Sequence, residues 1–187
     1  MVGQGKKKNK SVPIFYSSYV ATAYQHSDIT LIDVSENMIK QAQSSLPIFQ
    51  NNFSYLVADY SVLNLPQKFD VIISALSIHH LSDAQKEILF RSILNHLNFG
   101  GIFVNADQVK GETAEIEQHY RQEWLRKIQE RGVSETELHE ALERMKEDKM
   151  STLSAQMQWL KNSGFSDVNC WYKNYSFTVF SGRNLMK

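Results

Sequence analysis

The sequence predicts an α/β fold built on a mostly parallel sheet, and three observations carry that prediction. Asp28-Ile29-Thr30-Leu31-Ile32-Asp33 is an apolar strand that stops at an acid and is followed at once by Ser35, a helix cap. Phe69-Asp70-Val71-Ile72-Ile73-Ser74-Ala75 is an almost continuous apolar run, as a strand covered on both faces requires. Helical periodicity alternates with these strands along the chain, which is the pattern of a layered α/β domain.

Taken in order, residues 1–13 hold Gly3, Gly5, Lys6, Lys7, Lys8 and Lys10 with little that is apolar, and read as a basic flexible tail. From Ile14 to Tyr24, the residues Phe15, Tyr16, Tyr19, Val20 and Tyr24 recur at helical spacing. The strand ending at Asp33 follows, then a helix through Met38, Ile39, Ala42 and Leu46 that ends near Pro47. Phe53-Ser54-Tyr55-Leu56-Val57-Ala58 is a second strand stopping at an acid, Asp59. After the run 69–75, Ser82 with Gln85 forms a capping box, and Gly100-Gly101 is read as the helix stop before the strand Ile102-Phe103-Val104-Asn105-Ala106.

Two charged helices fill a helical insertion at 112–150, divided by Gly132, the second capped by Ser134 with Glu137. A helix ending at Gly164 and an antiparallel hairpin, Val168–Tyr172 and Ser176–Phe180, close the chain. No repeat or linker marks a boundary, so residues 14–187 are expected to form one domain.

Composition narrows the function. At 187 residues, with 42% hydrophobic and 11% aromatic content, the chain suits one globular domain with a sizeable core. Its 20 basic and 20 acidic residues cancel, leaving no overall field to recruit nucleic acid or an anionic membrane, so a small-molecule ligand is expected. Cys170 is the single cysteine, and no apolar run suits a bilayer span or a signal peptide, which points to a cytoplasmic setting.

The order of these segments resembles that of the class I S-adenosylmethionine-dependent methyltransferases. The resemblance rests on Leu31–Met38, on Val57-Ala58-Asp59-Tyr60, on Phe69–Leu81 with its Ser77-Ile78-His79-His80, and on Phe99–Phe103. It implies a Rossmann-like methyltransferase fold with a C-terminal antiparallel hairpin, S-adenosylmethionine as cofactor and a small-molecule methyl acceptor. Asp33 would hold the ribose hydroxyls, with helix capping as its alternative role. Val34 and Met38 would pack on the adenine, Asp59 would accept its amino group beside Tyr60, and Ala58 would join that wall. Ala75 would border the donor, His79 or His80 would meet the acceptor, and Tyr120 and Trp124 would line its pocket or simply pack. Two adjacent histidines should diverge, so at most one is expected at the reacting centre.

No histidine pair shows a metal-ligand spacing with carboxylate or cysteine support, and no metal is expected. The sequence also lacks the Tyr-x-x-x-Lys arrangement of short-chain dehydrogenases and a phosphate-binding loop ending in Lys-Ser or Lys-Thr. One family feature is missing. The Gly-x-Gly-x-Gly turn that follows the first strand would fall on Lys10-Ser11-Val12-Pro13-Ile14, where there are no glycines, and Gly3-Gln4-Gly5 stands too far upstream. The fold is therefore expected to be N-terminally incomplete, with donor binding impaired; the alternative is a non-catalytic Rossmann-like binding or regulatory protein.

Overall fold

The computed structural model describes residues 12–62 and 65–185. The expected tail and Gly3-Gln4-Gly5 lie outside the described residues, except that Val12 and Pro13 already belong to a helix. The chain separates into two compact units, Met1–Asn64 and Leu65–Lys187. No linker composition marks this division. It follows from hydrogen bonding, because among the described residues each unit's sheet is completed by its own strands.

In the first unit the helix α1 (Val12–Ala23) leads through His26, at φ 65°, into β1 (Asp28–Asp33), followed by α2 (Glu36–Ser45) and β2 (Asn52–Val57). The strands β1 and β2 pair in parallel from Asp28↔Asn52 to Asp33↔Val57. Ser35 caps α2 by accepting the Met38 N–H, as its position predicts. Ala42 and Leu46 of the α2 end are buried against Leu31, Phe49, Phe53 and Tyr55. The alternation of Phe53 and Tyr55 thus places both rings on the face that α2 covers.

The second unit contains β3 (Phe69–Ala75), a 3-10 turn (Ile78–His80), α3 (Asp83–Asn95), β4 (Leu97–Gln108), α4 (Ala114–Glu130), α5 (Glu135–Met145), α6 (Leu153–Ser163), β5 (Ser166–Asn174) and β6 (Phe177–Arg183). Its sheet has the order β3-β4-β6-β5, with β3 and β4 parallel and the other two pairings antiparallel. The mixed α/β architecture and the closing hairpin are those the sequence predicts. Phe103 anchors the core, its ring centroid 5.9 Å from Phe90 and 6.1 Å from Phe165. Phe90, Phe103, Phe180, Leu97 and Leu160 are all fully buried, and each such phenylalanine contributes roughly 1.5–3 kcal/mol.

Two local expectations need correction. Gly100-Gly101 does not end a helix: α3 stops at Asn95 with His96 as its cap, and both glycines lie within β4. Gly100 adopts φ +81° where the register slips between Phe69↔Leu97 and Val71↔Ile102, so its conformational freedom serves a bulge. The hairpin is also tighter than expected. β5 runs on to Asn174, and the turn is left to Tyr175, at φ 55°, and Ser176.

Candidate functional site

In the first unit, Asp33 and Asp59 stand at the carboxyl ends of the adjacent strands β1 and β2, and Asp33 O accepts the Ala58 N–H at 3.1 Å. Asp33 Oδ1 accepts the Ser35 N–H at 2.8 Å, which uses one carboxylate oxygen for the local turn. Helix capping, the alternative role for Asp33, is carried by Ser35 instead, and Asp33 Oδ2 has no side-chain or backbone partner among the described residues. Asp59 Oδ1 accepts the Ser61 N–H at 2.9 Å and the Ser61 hydroxyl at 2.7 Å. These bonds, the hydroxyl's first, hold the Asp59 carboxyl below the usual carboxylate range. Val34 is exposed, while Met38, Ala58 and Tyr60 are half-buried around the same strand ends.

In the second unit, Ala75 ends β3 opposite Ala106 of β4. Leu76 then takes φ 49°, a left-handed conformation that costs a residue with a Cβ about 1–2 kcal/mol, and turns the chain into the 3-10 turn carrying His79 and His80. The two imidazoles do not diverge. Their centroids are 4.0 Å apart with planes tilted by 46°, and both face Asp148, which lies between α5 and α6.

His79 is buried and held on two sides. Its Nδ1 is 2.6 Å from Asp107 Oδ1, and its backbone N–H donates to Asp107 Oδ2 at 3.1 Å. A carboxylate only accepts, so the His79 proton sits on Nδ1. Its Nε2 is 3.6 Å from Asp148 Oδ1, and His80 Nδ1 is 3.1 Å from the same oxygen. The segment carrying Asp148 is tied down next to this turn, because the Lys149 N–H donates to His79 O at 2.8 Å. Burial pushes the His80 imidazole below its usual pKa, with His79 adding to that effect and Asp148 and Asp107 opposing it.

Lys86 is fully buried nearby on α3. Its Nζ donates to the Lys149 carbonyl and to Ser151 Oγ at 2.5 Å, with Asp83 at 3.6 Å.

The remaining sequence candidates sit elsewhere in this unit. Tyr120 packs edge-on to Tyr175 of the hairpin turn at 5.9 Å, with Lys173 5.7 Å from its ring, and Trp124 is half-buried one turn further along α4. A groove of about 520 Å³ opens beside the start of α4, lined by Lys110, Glu112, Thr113, Glu117 and Arg121 among others, and includes none of the predicted site residues. His96, which looks isolated in the sequence, is fully employed: its Nδ1 donates to Ser92 O at 2.7 Å and its Nε2 accepts the Leu65 N–H at 3.0 Å.

Asp107, Asp148 and Lys86 escaped the sequence reading. Asp107 had a signal, since like Asp33 and Asp59 it is an acid near the end of an apolar strand. Asp148 and Lys86 had none, because their neighbours come from distant parts of the chain.

The methyltransferase domain family matches residues 15–101. Over that stretch, just under half of its length, the chain is similar to the methyltransferase domain family. It is also similar to the carboxy-S-adenosyl-L-methionine synthase of Hydrogenovibrio crunogenus, 23% identical over 160 residues that cover 84% of this chain and 64% of the relative. The Shewanella baltica protein of the same name is 26% identical over 154 residues, covering 80% and 62%. The chain thus spans under two thirds of the length of these relatives. Human N-acetylserotonin methyltransferase, solved in complex with S-adenosylmethionine, shares the fold at a TM-score of 0.55 and 15% identity over 83% of this chain and 40% of that one. Among the described residues, no helix is long and apolar enough to cross a membrane.

Proposed function

We propose that this chain binds S-adenosylmethionine and transfers its methyl group to a small-molecule acceptor. The observation that carries the reading is the pair Asp33 and Asp59 at the carboxyl ends of adjacent parallel strands, where an open α/β sheet binds its ligands. Two carboxylates suit a cationic donor rich in hydroxyl and amino groups. In this reading Asp33 accepts the ribose hydroxyls and Asp59 the adenine amino group, while Val34, Met38, Ala58 and Tyr60 supply the apolar contacts. The names of the curated relatives, and the donor bound to the human methyltransferase, support donor binding.

Methyl transfer breaks the carbon–sulfur bond of the sulfonium as the acceptor's lone pair forms the new bond to carbon. S-adenosylhomocysteine leaves, and the acceptor loses its proton to solvent or a nearby base. Holding the two partners in line in a dry site supplies most of the acceleration. Of His79 and His80, the half-exposed His80 is the one open to an acceptor.

Calorimetric titration with S-adenosylmethionine and S-adenosylhomocysteine tests the reading. Binding that is lost in Asp33→Ala supports it, and no heat at millimolar donor overturns it. Mass analysis of the donor incubated with panels of small-molecule methyl acceptors and of carboxyl-group sources separates the reactions. S-adenosylhomocysteine supports methyl transfer, carboxy-S-adenosylmethionine supports a second reading taken from the relatives' name, and an unchanged donor supports a non-catalytic binding protein.

A further inference from the structure

The histidine turn carries more than a methyl-transfer site needs. Asp107 and Asp148 have side chains only 1% and 7% exposed, and both face the His79 imidazole. His79 Nδ1 is held by Asp107, and His79 Nε2 faces the Asp148 carboxylate 3.6 Å away. Two imidazoles and a carboxylate thus converge on one point, as donors to a cation do. The neighbouring fixed cation, Lys86, is engaged by the Lys149 carbonyl, Ser151 and Asp83.

We propose that His79 Nε2, His80 Nδ1 and the Asp148 carboxylate bind a divalent transition-metal ion of the zinc class, with Asp107 orienting His79 from behind. The three donor atoms lie within 4.8 Å of one another. Metal–ligand distances of about 2.0–2.1 Å in tetrahedral geometry separate neighbouring donors by about 3.3 Å. The observed 3.1 and 3.6 Å bracket that value.

Two imidazoles and one carboxylate select a zinc-class ion over magnesium or calcium, which prefer all-oxygen sites. The Asp107–His79 hydrogen bond is the outer-shell contact that fixes the tautomer of a ligating histidine. Three protein ligands leave one position open, and the side chain of His80, 45% exposed, gives that position access to solvent or a small ligand.

This site does not depend on the methyl-transfer reading, and its test needs no donor. Tag-free full chain is stripped with chelator, then titrated with Zn²⁺ by calorimetry and with Co²⁺ by visible absorption. The expected result is one equivalent of Zn²⁺ and the intense d–d bands of tetrahedral cobalt. His80→Gln and Asp148→Asn should each weaken Zn²⁺ binding at least tenfold, and Asp107→Asn about tenfold or more, with folding checked by circular dichroism. Failure of the wild-type chain to take up one equivalent overturns the proposal. So does stoichiometric binding that persists unchanged in His80→Gln, the substitution on the more exposed ring and the one that decides if Asp148→Asn fails to fold.

Discussion

Asp107 grips His79 at both ring and backbone, 2.6 Å from Oδ1 to Nδ1 and 3.1 Å from Oδ2 to the amide nitrogen, and Oδ1 also accepts the Gln108 N–H at 2.9 Å. One buried carboxylate thus closes three hydrogen bonds, two of which join β4 to the turn after β3. Removing it leaves a buried imidazole donor and two amides without their acceptor. Asp107→Ala should lower the unfolding free energy by about 3 kcal/mol in urea titrations. Asp107→Asn, which keeps an acceptor oxygen, should lose less. Equal losses in the two variants would show that the charge, rather than the hydrogen bonding, holds the turn.

Much of this fold was legible because the deciding signals are local. The run Phe69–Ala75 is β3 to the residue, and the capping boxes at Ser82–Gln85 and Ser134–Glu137 form as their spacing predicts. Gly100 was misread because a residue with positive φ serves a helix stop and a strand bulge equally well, and only pairing with β3 separates them. The stripe of Ile116, Tyr120, Trp124 and Ile128 correctly announced α4, yet no described residue of that helix is fully buried, so periodicity gave the element without its partner. The His79, His80 and Asp148 cluster was invisible because it depends on a connection after α5 returning to the turn after β3.

Lys86 links burial to pH. Loss of solvation pushes its ammonium below the usual lysine value of about 10.4, with Asp83 and Asp107 opposing the shift. Between the lowered folded value and the unfolded one, the unfolded chain binds more protons, so this residue makes stability rise with pH across that window. Desolvation of the charged group opposes folding at pH 7, yet Lys86→Met should still be destabilised by about 1–3 kcal/mol there, from the acceptors it strands at Lys149 and Ser151. The gap to the wild type should widen as pH climbs toward the usual lysine value of about 10.4. Urea midpoints that run parallel over that range would contradict the assignment.

Two glycines should respond to substitution for different reasons. A Cβ on Gly111 would sit 2.4 Å from Glu117 N and 2.7 Å from Glu117 Cα, in the first turn of α4, whereas a Cβ on Gly100 meets nothing within 4 Å. Gly111→Ala should cost about 1–3 kcal/mol by overpacking, and Gly111→Asn should be no better. Gly100→Ala should cost about 1 kcal/mol through its left-handed backbone, and Gly100→Asn should recover part of that loss. Thermal melts of the four variants test the distinction; recovery by Asn at position 111 would refute the steric account.

Ser61 should set the acid limit of donor binding if Asp59 holds the adenine amino group as proposed. The two Ser61 bonds keep the Asp59 carboxyl ionised below its ordinary range. Binding that requires the carboxylate is then present above the unperturbed value and lost only as pH falls through the lowered one. Calorimetric affinity for S-adenosylmethionine should stay flat from pH 7 down to about 4. Ser61→Ala removes the hydroxyl and should move the acid limb upward. An unshifted limb would assign that titration to another group.

Asn105 tests the cost of buried polarity, because its entire side-chain amide is buried and, among the described residues, neither Oδ1 nor Nδ2 has a protein partner. It occupies the middle of β4, opposite Ser74 on one side and Phe180 on the other, two residues from Asp107 on the same face of the strand. A buried amide without partners costs about 1–3 kcal/mol relative to one that is hydrogen-bonded, and that penalty disappears when an apolar group of similar size replaces it. Asn105→Leu should accordingly be as stable as the wild type or more stable, by up to about 2 kcal/mol. Asn105→Ala should lose stability through the cavity it leaves. If Asn105→Leu instead loses more than about 1 kcal/mol, the amide's hydrogen bonds are being made to a buried water, and this position belongs to a solvated polar network beside Asp107.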